Sequence, residues 1–171
     1  EHIPQRITAS NYLSSGPGRA LLELQRQVEA SGLEHSLILL MKIRASQING
    51  CAYCIHMHTQ DARAMGETEQ RIYALDAWRE TPFFSDRERT ALEWTEAVTL
   101  VATTHAPDDV YERVRRQFNE TEIVSLTFVI VANIAWNRVS ISFRAEAGTY
   151  RRTPLHGQRQ AHGADSARPG R

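Results

Sequence analysis

Residues 123–136 form an apolar run of 14 residues, interrupted only by Ser125, Thr127 and Asn133. A helix built from it is apolar nearly all round. It either lies at the centre of a core or is covered by another chain, and the two are compatible. The run falls short of the roughly 20 residues a membrane helix needs. The rest of the chain has to be able to pack around such a helix, and its pattern is helical throughout, with strand alternation absent.

Pro17-Gly18 opens a helix to about residue 30, carrying Leu21, Leu22, Leu24 and Val28 at helical spacing before Ser31-Gly32 stops it. A second helix over about 34–49 carries Leu37, Leu40, Met41, Ile43 and Ile48, and Asn49-Gly50 breaks it. A third follows from Cys51 to about Met65, with Gly66 at its C-terminal stop. Thr68 caps a short fourth helix reaching about Trp78. Ser85 with Glu88 three residues on is a capping box, opening a helix that holds Leu92, Trp94, Val98 and Val101. Pro107 fits the first turn of a short helix to Phe118, and Asn119 with Glu122 caps the long apolar helix to about 147–148. The expected fold is all-α, about seven helices in a single domain. An N-terminal arm (1–16) precedes the helical domain (17–148), and a basic tail (149–171) follows it.

A length of 171 residues suits one domain with a real core. Twenty basic residues against twenty acidic ones leave no overall charge to attract nucleic acid or an anionic membrane. The neutrality hides a split. Residues 149–171 carry five arginines against Asp165 alone, while the body holds 15 basic and 19 acidic groups. The tail has almost no large apolar side chain after Leu155, so it is expected to be flexible, or docked on the acidic body or a neighbouring subunit. The start of the chain has no apolar signal region, which points to the cytoplasm.

Only two cysteines are present, Cys51 and Cys54, too close in sequence to staple distant parts of a fold. At about 100° per residue, with Cys51 at zero, Cys54 lies near 300°, His58 near 340° and Asp61 near 280°, all on one face. His56 falls near 140°, on the other side. Cys54 and His58 are an i,i+4 pair, so the imidazole is placed to take the thiol proton or stabilise the thiolate, the reactive form. Asp61, three residues on, is placed to orient that ring. Cys51 sits in the first turn, where the helix dipole favours an anion, and is within reach of Cys54 for a disulfide. A CxxC opening a helix can therefore cycle between dithiol and disulfide. Zinc needs four converging ligands, and with His56 turned away and no second CxxC or HxxxH, no metal site is expected.

The stretch from Lys42 through Asn49-Gly50-Cys51-Ala52-Tyr53-Cys54, then Met57-His58-Thr59 and Asp61-Ala62-Arg63, resembles the AhpD-like alkylhydroperoxidase core of the carboxymuconolactone decarboxylase superfamily. The similarity continues through Ala77-Trp78-Arg79 and Trp94-Thr95-Glu96 to Asn133-Ile134-Ala135-Trp136-Asn137-Arg138, covering roughly residues 18–148. The resemblance implies an AhpD-like fold assembled as a homo-oligomer, often a trimer or hexamer. It also implies a thiol peroxidase in which Cys54 attacks the hydroperoxide, Cys51 resolves and His58 relays the proton. No bound cofactor is expected. The partners are a hydroperoxide substrate and an external thiol reductant or redox protein.

This sequence departs from the family at two places. The relay glutamate expected twelve residues before the first cysteine is Leu39, and Tyr53 stands where some members have histidine. His35, one turn before Leu39, and Asp61 are the candidates to compensate. Arg44 and Arg63 read as structural ion-pair partners. Two alternatives follow: a slow redox-sensing oligomer, favoured by Leu39, and decarboxylase-type carbon–carbon chemistry, disfavoured by the CxxC.

Overall fold

The segment Leu37-Ile38-Leu39-Leu40-Met41 leaves no polar face for water, so the helix that contains it has to be surrounded. The computed structural model describes residues 3–152. There α3 (His35–Asn49) is the hub, with nine buried residues spread around its circumference. It packs on α4 (Ala52–Ala64), α6 (Asp86–Thr99) and α9 (Glu120–Phe143). Each fully buried Leu or Ile contributes roughly 1.5–3 kcal/mol relative to exposure.

Two core clusters meet along α3 and α6. One joins them to α9, α2 (Gly16–Glu29) and α8 (Asp108–Gln117) through Val28, Met41, Trp94, Val114 and Leu126. The other joins them to α4, the short α5 (Glu69–Ala74) and a 3-10 helix (Leu75–Glu80) through Leu40, Ala62, Ile72, Trp78 and Leu92. The fold is all-α, with no strand among the described residues.

The helix starts follow the local chemistry. Ser85 and Asn119 each accept from the backbone N–H of a glutamate three residues on, whose side chain accepts from the cap's own N–H. The sequence outline of about seven helices resolves into nine α-helices and the 3-10 helix among the described residues. Residues 69–80 divide at Ala74/Leu75 into α5 and the 3-10 helix, which is itself kinked at Ala77 (φ −110°) next to Trp78, whose indole N–H donates to Glu96 Oε1 at 2.9 Å. The helix expected to hold both Val98 and Val101 stops at Thr99, and a single turn, α7 (Val101–Thr104), follows. The last helix ends earlier than expected, at Phe143, where Arg144 takes a left-handed conformation and the Ala145 N–H closes on Ser140 O at 2.8 Å. The expected N-terminal arm also contains a helix, α1 (Ala9–Ser14). It is tied down by the Arg6 N–H to Phe143 O (2.9 Å) and by Tyr12 packed on Phe143 with ring centroids 5.5 Å apart. Gly18 permits that docking, since a Cβ there would sit 1.9 Å from Tyr12 O.

At 24 residues, α9 is longer than its apolar run and has the length and hydropathy of a membrane span. The length argument made on the 14-residue run therefore does not carry over to the helix. Its inner stripe, Ile123, Leu126, Ile130, Asn133 and Asn137, is buried on the neighbouring helices, while Val124, Phe128, Val131 and Ile141 are exposed. Of the basic tail, residues 149–152 are described. Tyr150 donates its hydroxyl to Asp61 Oδ1 at 2.8 Å, and Arg152 Nε lies 3.8 Å from the same oxygen. These contacts place the start of the tail against α4. The rest of the tail lies outside the described residues.

Candidate active site

Gly50 makes the turn that builds the site. Its φ of 68° lies in the left-handed region that other residues enter at a cost, so α3 stops there and α4 begins two residues later. Cys51 is the N-cap of α4, and its sulfur accepts from the Cys54 N–H at 3.3 Å, the bond a serine oxygen would usually accept. Cys51 and Cys54 are joined as a disulfide, with Cα atoms 5.3 Å apart. Both are almost fully buried.

Cys54 lines a cavity of about 220 Å³ between α1, α2, α3, α4 and α9. Tyr12, Leu22, Tyr53, Met57 and Trp136 supply its largely apolar wall, while Lys42, His58 and Asn133 are polar residues that share its lining with Cys54. Cys51 is not part of that wall. A wider groove of about 510 Å³, lined by Trp78, Arg79, Arg89 and Arg113 among others, has neither cysteine nor histidine among its described lining residues. Its Arg113 is spoken for by Glu93 and Asp109.

His58 is buried and neutral. Burial, reinforced by the nearby Lys42 charge, pushes its pKa down to about 3, against a smaller upward pull from its hydrogen bond to Asn133. That bond joins His58 Nε2 to Asn133 Oδ1 at 2.9 Å. The amide's orientation follows from its other contacts. Asn133 Nδ2 donates to the Lys42 carbonyl and to Ser46 Oγ, each at 3.2 Å, and a carbonyl can only accept. Oδ1 therefore faces the ring, Nε2 carries the hydrogen, and Nδ1 keeps the lone pair. The network extends to Asn137, whose Nδ2 donates to Ser46 Oγ at 3.0 Å and whose Oδ1 accepts from Asn49 Nδ2 at 3.0 Å. Three helices, α3, α4 and α9, are thus locked behind the imidazole by one polar network.

The candidate residues divide by position. Cys54, His58 and Tyr53 share the cavity, and burial raises the Tyr53 pKa. Asp61 does not orient His58. Its carboxylate is taken by Tyr150 and Arg152, and Asn133 holds the ring instead. His35 is exposed at the first residue of α3 and is not a cavity residue. Leu39 lies in the second core cluster with Ala62 and lines a small separate cleft with Ser36 and Glu67, not the wall of the Cys54 cavity. Arg44 pairs with Glu96 and Asp76, and Arg63 with Glu69.

Reading helical angles around the cysteines missed Lys42, Ser46, Asn133 and Asn137, because their importance arises between helices. A signal was present: polar residues at i,i+4 spacing inside otherwise apolar stretches, 42 with 46 and 133 with 137. Replacing Asn133 by leucine is expected to leave the buried His58 Nε2–H without its acceptor, while Ser46 keeps its bond from Asn137. At about 1–3 kcal/mol per buried unsatisfied group, urea unfolding should show a loss of that order. A loss under about 0.5 kcal/mol would contradict the network's structural role.

Residues 18–97 match the carboxymuconolactone decarboxylase family. The chain is 44% identical over 147 residues to the uncharacterized protein YdfG of Bacillus subtilis (strain 168), spanning 86% of this chain and 99% of that protein. A crystal structure of an Agrobacterium tumefaciens protein of unknown function, named there as a candidate antioxidant defence protein AhpD, superposes with a TM-score of 0.82 at 41% identity. The match covers 86% of this chain and 100% of that one. The debrominase Bmp8 shares the fold at a TM-score of 0.70 and 17% identity, over 77% of this chain and 71% of its own. With the helical architecture and the CxxC disulfide, these matches place the chain in the carboxymuconolactone decarboxylase family, in its AhpD-like group.

Proposed function

We propose that the protein is a thiol peroxidase that reduces organic hydroperoxides through a Cys54/Cys51 dithiol–disulfide cycle. The observation that carries this reading is positional. Cys54 opens on an apolar cavity of about 220 Å³, and its disulfide partner Cys51 sits one turn away, outside that cavity.

In the reduced protein the Cys54 thiolate attacks the outer oxygen of a hydroperoxide, and the O–O bond breaks. The products are a Cys54 sulfenic acid and an alkoxide, which takes up a proton to leave as the alcohol. Cys51, as thiolate, then displaces hydroxide from the Cys54 sulfur, forming the disulfide and releasing water once a proton is added. An external dithiol restores both thiols by exchange and leaves as its own disulfide. His58 Nδ1 is the acceptor for the thiol proton. Burial disfavours the imidazolium, so the proton passes on to solvent or to the departing alkoxide. The apolar wall formed by Leu22, Met57 and Trp136 favours an organic peroxide over hydrogen peroxide. Assembly as a trimer or hexamer would cover the exposed stripe Val124, Phe128 and Val131 on α9.

The test is a single turnover. Pre-reduced protein, freed of reductant and mixed with cumene hydroperoxide, is expected to consume one equivalent per chain and to end as the Cys51–Cys54 disulfide. Consumption no faster than that of a free small-molecule thiol would refute the assignment. Rapid oxidation without turnover under added dithiol would instead mark a sensor.

A further inference from the structure

The cavity is bordered by a buried ion pair that the peroxidase reading leaves unused. Lys42 lies one turn along α3 from Leu39, and its side chain is only 8% exposed. Its ammonium meets Glu29 Oε1, from α2, at 2.8 Å, and the same oxygen accepts from Gln25 Nε2 at 3.3 Å. Lys42 contributes to the cavity that Cys54 lines, and Glu29 does not. The carboxylate is instead partly open to solvent at 32% exposure.

A thiolate in an apolar cavity needs a nearby cation, because burial alone favours the neutral thiol. The titratable groups lining the cavity are Tyr12, Lys42, Tyr53, Cys54 and His58. Burial raises both tyrosines, so they remain neutral, and His58 is neutral for the reason given above. Among the described residues Lys42 is the only cation in that wall, and its charge is already felt at His58. Glu29 is the counter-charge that lets an ammonium occupy a buried position. Asn133 fixes the backbone beneath it by donating to the Lys42 carbonyl at 3.2 Å.

We propose that Lys42, held by Glu29, is the positioning residue that supplies the charge keeping reduced Cys54 as a thiolate. The inference rests on Cys54 being the reactive nucleophile of the proposed function, but its test needs no peroxide. On ionisation the thiol proton passes by way of His58 to solvent, and the ammonium stabilises the sulfur anion that remains.

The experiment follows alkylation of reduced Cys51→Ser protein, where Cys54 is the sole thiol, by iodoacetamide from pH 5 to pH 10. Thioether forms and iodide leaves, so the rate tracks the thiolate fraction. Adding Lys42→Met is expected to raise the midpoint by at least about one pH unit, about tenfold slower alkylation below both midpoints. Lys42→Arg should restore most of the shift. An unchanged midpoint in folded Lys42→Met protein would overturn the proposal. If that variant does not fold, Glu29→Gln in the Cys51→Ser background serves in its place. Without its counter-charge the buried ammonium is expected to withdraw or lose its proton, which raises the midpoint, and a midpoint unchanged or lowered would overturn the assignment. If Lys42→Met shifts the midpoint in a protein that fails the peroxide test, the charge assignment stands and the substrate reading falls.

Discussion

Replacing Cys54 by serine is expected to abolish peroxide consumption, by on the order of 10³-fold or more, as removal of a nucleophile does elsewhere. Cys51→Ser is expected to keep the first half of the reaction and lose the second. The asymmetry follows from placement. Cys54 faces the cavity, while Cys51 faces the start of α4 and accepts from the Cys54 N–H. A serine oxygen at position 51 caps the helix at least as well as sulfur, so α4 should survive the change. The Cys51→Ser protein should therefore consume one equivalent of peroxide and stop at a sulfenic acid that dimedone traps, visible by mass spectrometry on the Cys54 peptide. Trapping on Cys51 in the Cys54→Ser protein, with none in the converse variant, would reverse the two roles.

The second large effect is on stability rather than rate. In the disulfide form His58 is neutral down to about pH 3, whereas the same imidazole in the unfolded chain titrates near 6.5. Its folded pKa is depressed, so its contribution is complete above pH 6.5 and is lost as pH falls toward 3. The unfolded chain takes up a proton that the folded one refuses. The slope is about 1.4 kcal/mol per pH unit, or about 2 kcal/mol between pH 6 and pH 4.5. For a chain of this size that is a fall of roughly 4–8 °C in Tm. Several carboxyls also have lowered pKa values. Burial pushes Glu96 up, but hydrogen bonds from Trp78, Arg79 and Arg44 outweigh it, and Arg87 holds Glu34 and Glu122 down. Their stabilising contributions begin to fade only as pH approaches the ordinary carboxylate range near 4.5 and below. The interval from pH 6 to 4.5 therefore largely isolates the histidine. His58→Gln keeps an N–H donor for Asn133 and cannot charge, so it should flatten the dependence. A slope that persists in His58→Gln would place its origin elsewhere. Glu29→Gln, in contrast, should leave this slope in place, since the largest cause of the shift is burial of the ring.

Much of the fold was legible because helix ends are written in short-range chemistry. The pairs Ser85 with Glu88 and Asn119 with Glu122, and the left-handed Gly50, act over a few residues, and those starts and stops stand where they were read. The ends that shifted depend on distant contacts. Trp78, in the 3-10 helix that replaces the end of the expected fourth helix, bonds to Glu96 on α6, and α1 packs on Phe143, more than a hundred residues away in sequence. The same division runs through the site. Helical angles brought Cys54 and His58 to one face, but the same angles favoured Asp61 as the ring's partner. An i,i+3 spacing says that two side chains are neighbours, not that one is free. Asp61 is already engaged by Tyr150 and Arg152.

What the sequence by itself determined is the family of helices and the redox-capable pair. A CxxC at a helix start with a histidine four residues on is a local arrangement, set by 3.6-residue periodicity and a glycine turn. What only the tertiary structure decided is the electrostatics around that pair. The imidazole's tautomer comes from Asn133 on α9, and its neutrality from burial between helices. The cation beside it is held by Glu29, thirteen residues before Lys42 and on another helix. Desolvation and buried hydrogen bonds depend on what surrounds a group in space. Short-range periodicity carries no record of that until the helices pack.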